Sequence, residues 1–91
     1  MYQLEYDPDL KDNKGNLNVK IPRNVLDKIL EKLREIARTE NPPSDKKLKG
    51  DLEGCYKVRE DGYRAIYSID SKRGKLVVLH IGPRKTVYTR S

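Results

Sequence analysis

Residues 55–69 read Cys55-Tyr56-Lys57-Val58-Arg59-Glu60-Asp61-Gly62-Tyr63-Arg64-Ala65-Ile66-Tyr67-Ser68-Ile69, two β-rich runs on either side of an Asp-Gly pair. An Asp-Gly pair between two alternating runs is a strong hairpin signal, because Asp and Gly accept the positive φ angles that a two-residue turn demands. With Asp61-Gly62 as the turn, Glu60 opposes Tyr63, Arg59 opposes Arg64, Val58 opposes Ala65 and Lys57 opposes Ile66. Side chains on a strand alternate between faces. Tyr56, Val58, Ala65, Tyr67 and Ile69 therefore point one way, and Lys57, Arg59, Arg64 and Ser68 the other. The first set is apolar enough to pack on a helix; the second is cationic.

A third β-rich run, Lys75 to Gly82, follows the turn Asp70-Ser71-Lys72-Arg73-Gly74, so the C-terminal half reads as a three-stranded antiparallel meander. Its apolar residues form two sets, Val77, Leu79 and Ile81 against Leu76, Val78 and His80. Turning the stronger set, Val77, Leu79 and Ile81, toward the helix puts His80, Gly82 and Arg84 on the cationic face. Upstream, Val25, Leu26, Ile29, Leu30, Leu33, Ile36 and Ala37 recur at helical period, predicting an amphipathic helix from about Pro22 to Thr39. Pro22 suits its first turn, and Asn41-Pro42-Pro43 stops it. The charged face of that helix, Lys28, Glu31, Lys32 and Glu35, reads as solvated surface. Tyr2, Leu4 and Tyr6 alternate like a short first strand, and Asp7 to Lys20 is a polar loop or a poor helix. The expected fold is α+β: a two-layer single domain over residues 1–91, with an antiparallel sheet of about four strands packed against one or two N-terminal helices.

Composition narrows the function classes. The 91 residues carry 20 Lys+Arg and 14 Asp+Glu for a formal net charge of +6, with six Tyr but no Phe or Trp. One Cys precludes an internal disulfide and leaves no Cys/His zinc cluster. The longest apolar stretch, Leu76 to Leu79, is far short of the roughly 18 residues that cross a bilayer, and the N-terminal residues have neither a basic start nor an apolar run. A soluble, cytoplasmic protein with no membrane partner is the expectation. Residues 1–45 hold 8 basic and 9 acidic side chains, residues 46–91 hold 12 and 5, so the balance is −1 in the first half and +7 in the second. Positive charge confined to one part of a chain is the footprint expected for an anionic partner such as nucleic acid.

Within that basic half, Arg59 directly across from Arg64 is costly, since like charges opposed across a strand pair repel. Lys57 and Arg84 crowd the same face. A cluster that accepts such repulsion suits a multiply charged anion, and arginine forks match phosphate oxygens. Taken singly, Lys47, Lys49, Lys72 and Arg73 read as ordinary surface; Lys47, Lys49, His80 and Lys85 are the candidate auxiliary contacts to nucleic acid.

The order and spacing of several short motifs resemble the RelE/ParE toxin superfamily, on its RelE side. They are Leu48-Lys49-Gly50, Cys55-Tyr56-Lys57-Val58-Arg59, Gly62-Tyr63-Arg64-Ala65-Ile66-Tyr67, the run Val77-Val78-Leu79-His80-Ile81-Gly82-Pro83-Arg84, and Val87-Tyr88. The resemblance covers about Pro22 to Tyr88. It implies a toxin that cuts messenger RNA in the ribosomal A site without metal or other cofactor, beside ribosomal RNA, and that a cognate RelB-like antitoxin neutralises in a hetero-oligomer. The implied reaction is attack by a ribose 2′-OH on its neighbouring phosphodiester, leaving a 2′,3′-cyclic phosphate and a 5′-OH. Such a reaction needs a base, cations for the phosphorane and an acid for the leaving oxygen.

By resemblance, Lys57 and Arg59 match the two basic strand positions, Arg64 the phosphate-binding arginine, Arg84 the arginine that protonates the leaving group or stabilises its charge, and Tyr88 the late tyrosine that orients the nucleotide. Arg59 stands where RelE often has Lys and cannot act as a base, since arginine stays protonated. Lys57 is then the expected base, with His80 as the outside candidate because histidine titrates near neutrality. The Gly82 to Tyr88 segment is shorter than in familiar members, and the region before the main helix is weak where they have a first helix. Two alternatives stand beside the nuclease: a ParE-like inhibitor of DNA gyrase without nuclease activity, and a catalytically inactive RNA-binding relative.

Overall fold

In the computed structural model, which describes residues 1–40 and 54–85, the apolar stripe forms helix α1, Arg23–Thr39. Val25, Leu26, Ile29, Leu33, Ile36 and Ala37 are buried along it, and Leu30 is half-buried at its flank. Pro22 is the N-cap, and its carbonyl accepts the Leu26 N–H at 2.9 Å. The helix ends one residue before Glu40, whose φ of 55° bends the chain out of the helix while its N–H still bonds the Ile36 carbonyl at 2.8 Å. The expected stop at Asn41-Pro42-Pro43 lies outside the described residues.

Four strands make the second layer: β1 (Gln3–Tyr6), β2 (Cys55–Glu60), β3 (Tyr63–Asp70) and β4 (Lys75–Pro83), in spatial order β1-β4-β3-β2. The two-layer α+β architecture matches the expectation, with one correction: β1 runs parallel to β4, so the sheet is mixed. The cause is where β1 begins. Tyr2 N–H bonds the Ala37 carbonyl and Gln3 N–H bonds the Gly74 carbonyl, both at 2.8 Å, which starts β1 at the same end of the sheet as β4. Between β1 and α1 the chain makes a single 3-10 turn, Pro8–Leu10, capped by the Asp7 carboxylate and holding Leu10 in the core.

The hairpin register is the one read from the sequence: Glu60 with Tyr63, Arg59 with Arg64, Val58 with Ala65 and Lys57 with Ile66. Asp61 and Gly62 have φ of 48° and 80°, the two positive values of a two-residue hairpin turn. The β3–β4 pairing departs from expectation. Ile66 pairs with His80 but Tyr67 pairs with Val78, so Leu79 is an extra residue in a bulge. The bulge flips the alternation within β4. Leu76 and Val78, not Val77 and Leu79, face α1 and are fully buried, and Ile81 joins them from beyond the bulge. His80 and Gly82 remain opposite Ile66 and Arg64 on the far face, as anticipated.

The core lies between α1 and the helix-facing side of the sheet, around Ile29, Leu33, Tyr67, Leu76 and Val78, all wholly buried. Tyr67 stacks on Tyr56 at 5.5 Å between ring centroids. Burial first, and the neighbouring Tyr56 second, push the Tyr67 hydroxyl well above the ordinary tyrosine value, so this ring stays neutral. No helix among the described residues is long and apolar enough to cross a membrane.

Candidate active site

The face of the sheet turned away from α1 is organised as a grid by the strand register. One row across β2, β3 and β4 holds Lys57, Ile66 and His80; the next holds Arg59, Arg64 and Gly82. Neighbouring strands lie about 4.8 Å apart and rows on one face about 7 Å apart. Two cations, Arg59 and Arg64, thus stand side by side, with Lys57 and His80 one row away. Arg59 is exposed, whereas Lys57, Arg64 and His80 are half-buried, and Ile66 between Lys57 and His80 is wholly buried.

Gly82 is the small member of the grid, and its size has a use. A methyl group added there would come within 3.0 Å of His80 Nε2 and 3.3 Å of Cε1. The imidazole therefore leans over Gly82, into the slot directly opposite Arg64. Burial, and then the Arg64 guanidinium, hold the His80 imidazole below the ordinary histidine value of 6.5. A histidine so placed is largely neutral at pH 7 and able to accept a proton.

Arg84 and Lys85 follow β4 and are exposed. The Arg84 N–H bonds the Gly62 carbonyl at 3.0 Å, which pins the residue to the tip of the β2–β3 hairpin, next to the Arg59–Arg64 row. Gly62, Pro83, Arg84 and Lys85 line a recess of about 470 Å³ at that end of the sheet. Of the candidate site residues, then, Lys57, Arg59, Arg64, His80 and Arg84 come together around one end and one face of the sheet. Lys47, Lys49 and Tyr88 lie outside the described residues.

The larger cleft, about 700 Å³, runs between α1 and the open edge of β2 and is lined by Lys28, Lys32, Ile36 and Glu60 together with Lys57 and Arg59 of the cationic set. Arg64 and His80 do not line it. Its walls correct the reading of α1's charged face as plain solvated surface. Lys32 Nζ donates to the Arg59 carbonyl at 2.8 Å and to Glu60 Oε2 at 2.7 Å, and Lys28 Nζ is 3.8 Å from Glu60 Oε1. Those bonds tie the helix to the strand residues that carry the site. The hydrogen bond from Lys32 holds the Glu60 carboxyl below the usual carboxylate range, against a smaller opposing effect of desolvation. Sequence reasoning missed this clamp because a helical i, i+4 lysine pair looks the same whether it faces water or a strand end. Among the described residues no group of three or more His, Cys, Asp or Glu side chains is placed to hold a metal ion.

A sequence model of the ParE toxin of type II toxin–antitoxin systems, parDE, matches residues 6–88. Toxin RelE of Mycobacterium tuberculosis (strain ATCC 25618 / H37Rv) is 37% identical over 43 residues, 47% of this chain and 44% of that protein, so the match spans less than half the relative's length. The fold is similar to that of the isolated Escherichia coli RelE toxin, with a TM-score of 0.75 and 24% identity over 96% of this chain and 88% of that one. It is equally similar to an E. coli RelE double mutant in complex with a peptide of its antitoxin RelB, with a TM-score of 0.73 and 25% identity over 93% and 85%. A RelBE toxin–antitoxin complex of M. tuberculosis gives 0.62 and 22% over 91% and 98%.

Proposed function

The chain belongs to the ParE toxin family of type II toxin–antitoxin systems, within the RelE/ParE superfamily, and on that premise we propose that it is a RelE-like, ribosome-dependent endoribonuclease. It cuts messenger RNA in the A site, in the cytoplasm, by 2′-OH attack on the adjacent phosphodiester. The observation that carries this reading is the Arg59–Arg64 pair. Two guanidinium groups opposed across β2 and β3, with Lys57 and Arg84 close by, gather positive charge at one place where a phosphate can be gripped from two sides. A phosphorane, which gains negative charge as it forms, is stabilised by such preplaced cations more than its ground state is.

Arg59 and Arg64 grip the non-bridging oxygens, and Arg84 at the hairpin tip offsets charge on the leaving 5′-oxygen. Tyr88 orients the reacting nucleotide, and Lys47, Lys49 and Lys85 add attraction to RNA. Because that attraction is electrostatic, association with ribosomes weakens as salt rises. A cognate RelB-like antitoxin is the expected protein partner. The solved E. coli RelE complex with a RelB peptide supports it. The family description itself favours a second reading, a ParE-like gyrase inhibitor that works through protein contacts; it gives no use to the opposed arginines.

The experiment is to add the purified protein to ribosomes programmed with a defined message. A cut within the A-site codon bearing a 2′,3′-cyclic phosphate supports the nuclease. Intact message with the protein bound to ribosomes, together with gyrase-dependent DNA breaks on expression, supports the ParE-like reading.

A further inference from the structure

We propose that His80 is the proton acceptor for the attacking 2′-OH and that Lys57, across the buried Ile66 in the same row, is the proton donor to the leaving 5′-oxygen; this rests on the nuclease reading above. Few groups on the face are able to change protonation state. Arg59, Arg64 and Arg84 stay charged at any working pH. That leaves the two nitrogen bases Lys57 and His80. They occupy opposite ends of one row, with Ile66 between them, so their stems are about 10 Å apart across two strand spacings. The imidazole, seated over Gly82 opposite Arg64, and Lys57 from the outer strand flank one phosphodiester, whose oxygens meet Arg64.

Which of the two is the base follows from their chemistry. An ordinary lysine loses its proton near pH 10.4 and so holds a proton far more firmly than an imidazole does. His80 needs no activation, since burial and Arg64 already favour its neutral form. Among the described residues the charged groups on its face are Lys57 and Arg59 from β2, Arg64 from β3 and Arg84 just past β4, with Asp70 at the far end of β3. The Glu5–Lys75 pair, 2.8 Å apart, sits at the far end between β1 and β4. α1 lies on the opposite side of the sheet. Burial and then the Arg64 guanidinium oppose protonation of the imidazole in the resting protein.

The step balances without any other reactant. An imidazole nitrogen takes the 2′-hydroxyl proton, forming N–H as O–H breaks, and the O2′ electron pair forms the new P–O2′ bond. The P–O5′ bond breaks with its pair on O5′, which receives a proton from the Lys57 ammonium. Imidazolium and amine then exchange protons with water to reset. Gly82 is a positioning residue in this scheme: a Cβ there would press on the imidazole edge at 3.0 to 3.3 Å and push the ring out of its seat beside Arg64.

The test is single-turnover cleavage on programmed ribosomes as a function of pH, for the native protein, His80→Gln and Gly82→Ala. The native rate is expected to rise with pH to a plateau below neutrality. His80→Gln lowers the plateau by about 100-fold or more and removes the acidic limb. Gly82→Ala, with an ordinary folded melting curve, lowers the rate by about 10- to 100-fold through displacement of the ring. Because the chain has one histidine, its NMR ring signal reports that displacement and the fold of the Gly82→Ala protein directly. His80→Gln that cleaves within about threefold of native, with the acidic limb intact, overturns the assignment while leaving the nuclease reading standing. A native protein that binds ribosomes and leaves the message whole overturns both.

Discussion

Replacing Arg59 by Thr separates what the cationic face does for folding from what it does for function. Arg59 and Arg64 are direct partners across β2 and β3, and like charges in that position destabilise by about 0.2–1 kcal/mol. Arg59 is exposed, so solvent screens the repulsion toward the lower part of that range. Threonine is at home on a strand. The clamp from Lys32 reaches the backbone carbonyl of residue 59, so it survives the substitution. The variant is therefore expected to be more stable than native by about 0.2–1 kcal/mol, which for a domain this small raises the melting temperature by about 1–8 °C. The gain is read from paired thermal melts in dilute buffer and in about 1 M salt, where the screening length falls to about 3 Å and the gain shrinks. On the proposed nuclease reading the same variant is expected to lose cleavage, because one of the two proposed phosphate grips is gone. A melting temperature that falls, or a gain of equal size at both salt concentrations, refutes the claim that Arg59 and Arg64 repel each other across the strand pair.

Leu33→Ala removes a wholly buried side chain between α1 and the sheet and is expected to cost about 2–5 kcal/mol in urea denaturation; a loss below about 1 kcal/mol contradicts the core assignment. Glu60 is held below its ordinary value of 4.5 chiefly by the Lys32 hydrogen bond. Its contribution is thus fully present above pH 4.5 and lost as pH falls through the lower folded value. Melting curves of native and Glu60→Gln are expected to converge on acidification, and a gap that stays constant to pH 3 counts against the clamp. NMR titration of His80 is expected to give a value below 6.5. Since the unfolded chain protonates first, stability falls as pH drops from 6.5 toward the folded value. Arg64→Ala is expected to move the His80 titration upward, and an unchanged midpoint disproves their proximity.

The hairpin was legible because its turn and its register are both local. Asp61-Gly62 fixes the pairing within two residues, and the period of two then assigns every side chain in β2 and β3 to a face. The helix was legible for the same reason, its stripe being a repeat within 17 residues. What escaped was non-local. The bulge at Leu79 leaves no mark in composition, because Leu76-Val77-Val78-Leu79 is apolar at every position and permits either alternation. Burial of Leu76 and Val78 against α1 decides it only once the two layers meet. The direction of β1 likewise depends on where Ala37 and Gly74 stand relative to Gln3. In the site, the cations were readable as strand neighbours, whereas the seat of His80 over Gly82 needed both the bulge and the β3–β4 register. The Lys32 clamp on Arg59 and Glu60 joins residues 27 and 28 positions apart, a distance at which no sequence period operates.

The central claim is that the arginine-paired face holds a phosphodiester for cleavage, and it is tested most directly by primer extension on a defined message in programmed ribosomes, comparing the native protein with Arg64→Ala. The account predicts a new 5′ end within the A-site codon for the native protein. It predicts none for an Arg64→Ala protein that is folded and still bound to ribosomes. Message that stays intact with the bound native protein, or that is cut equally by both, contradicts it.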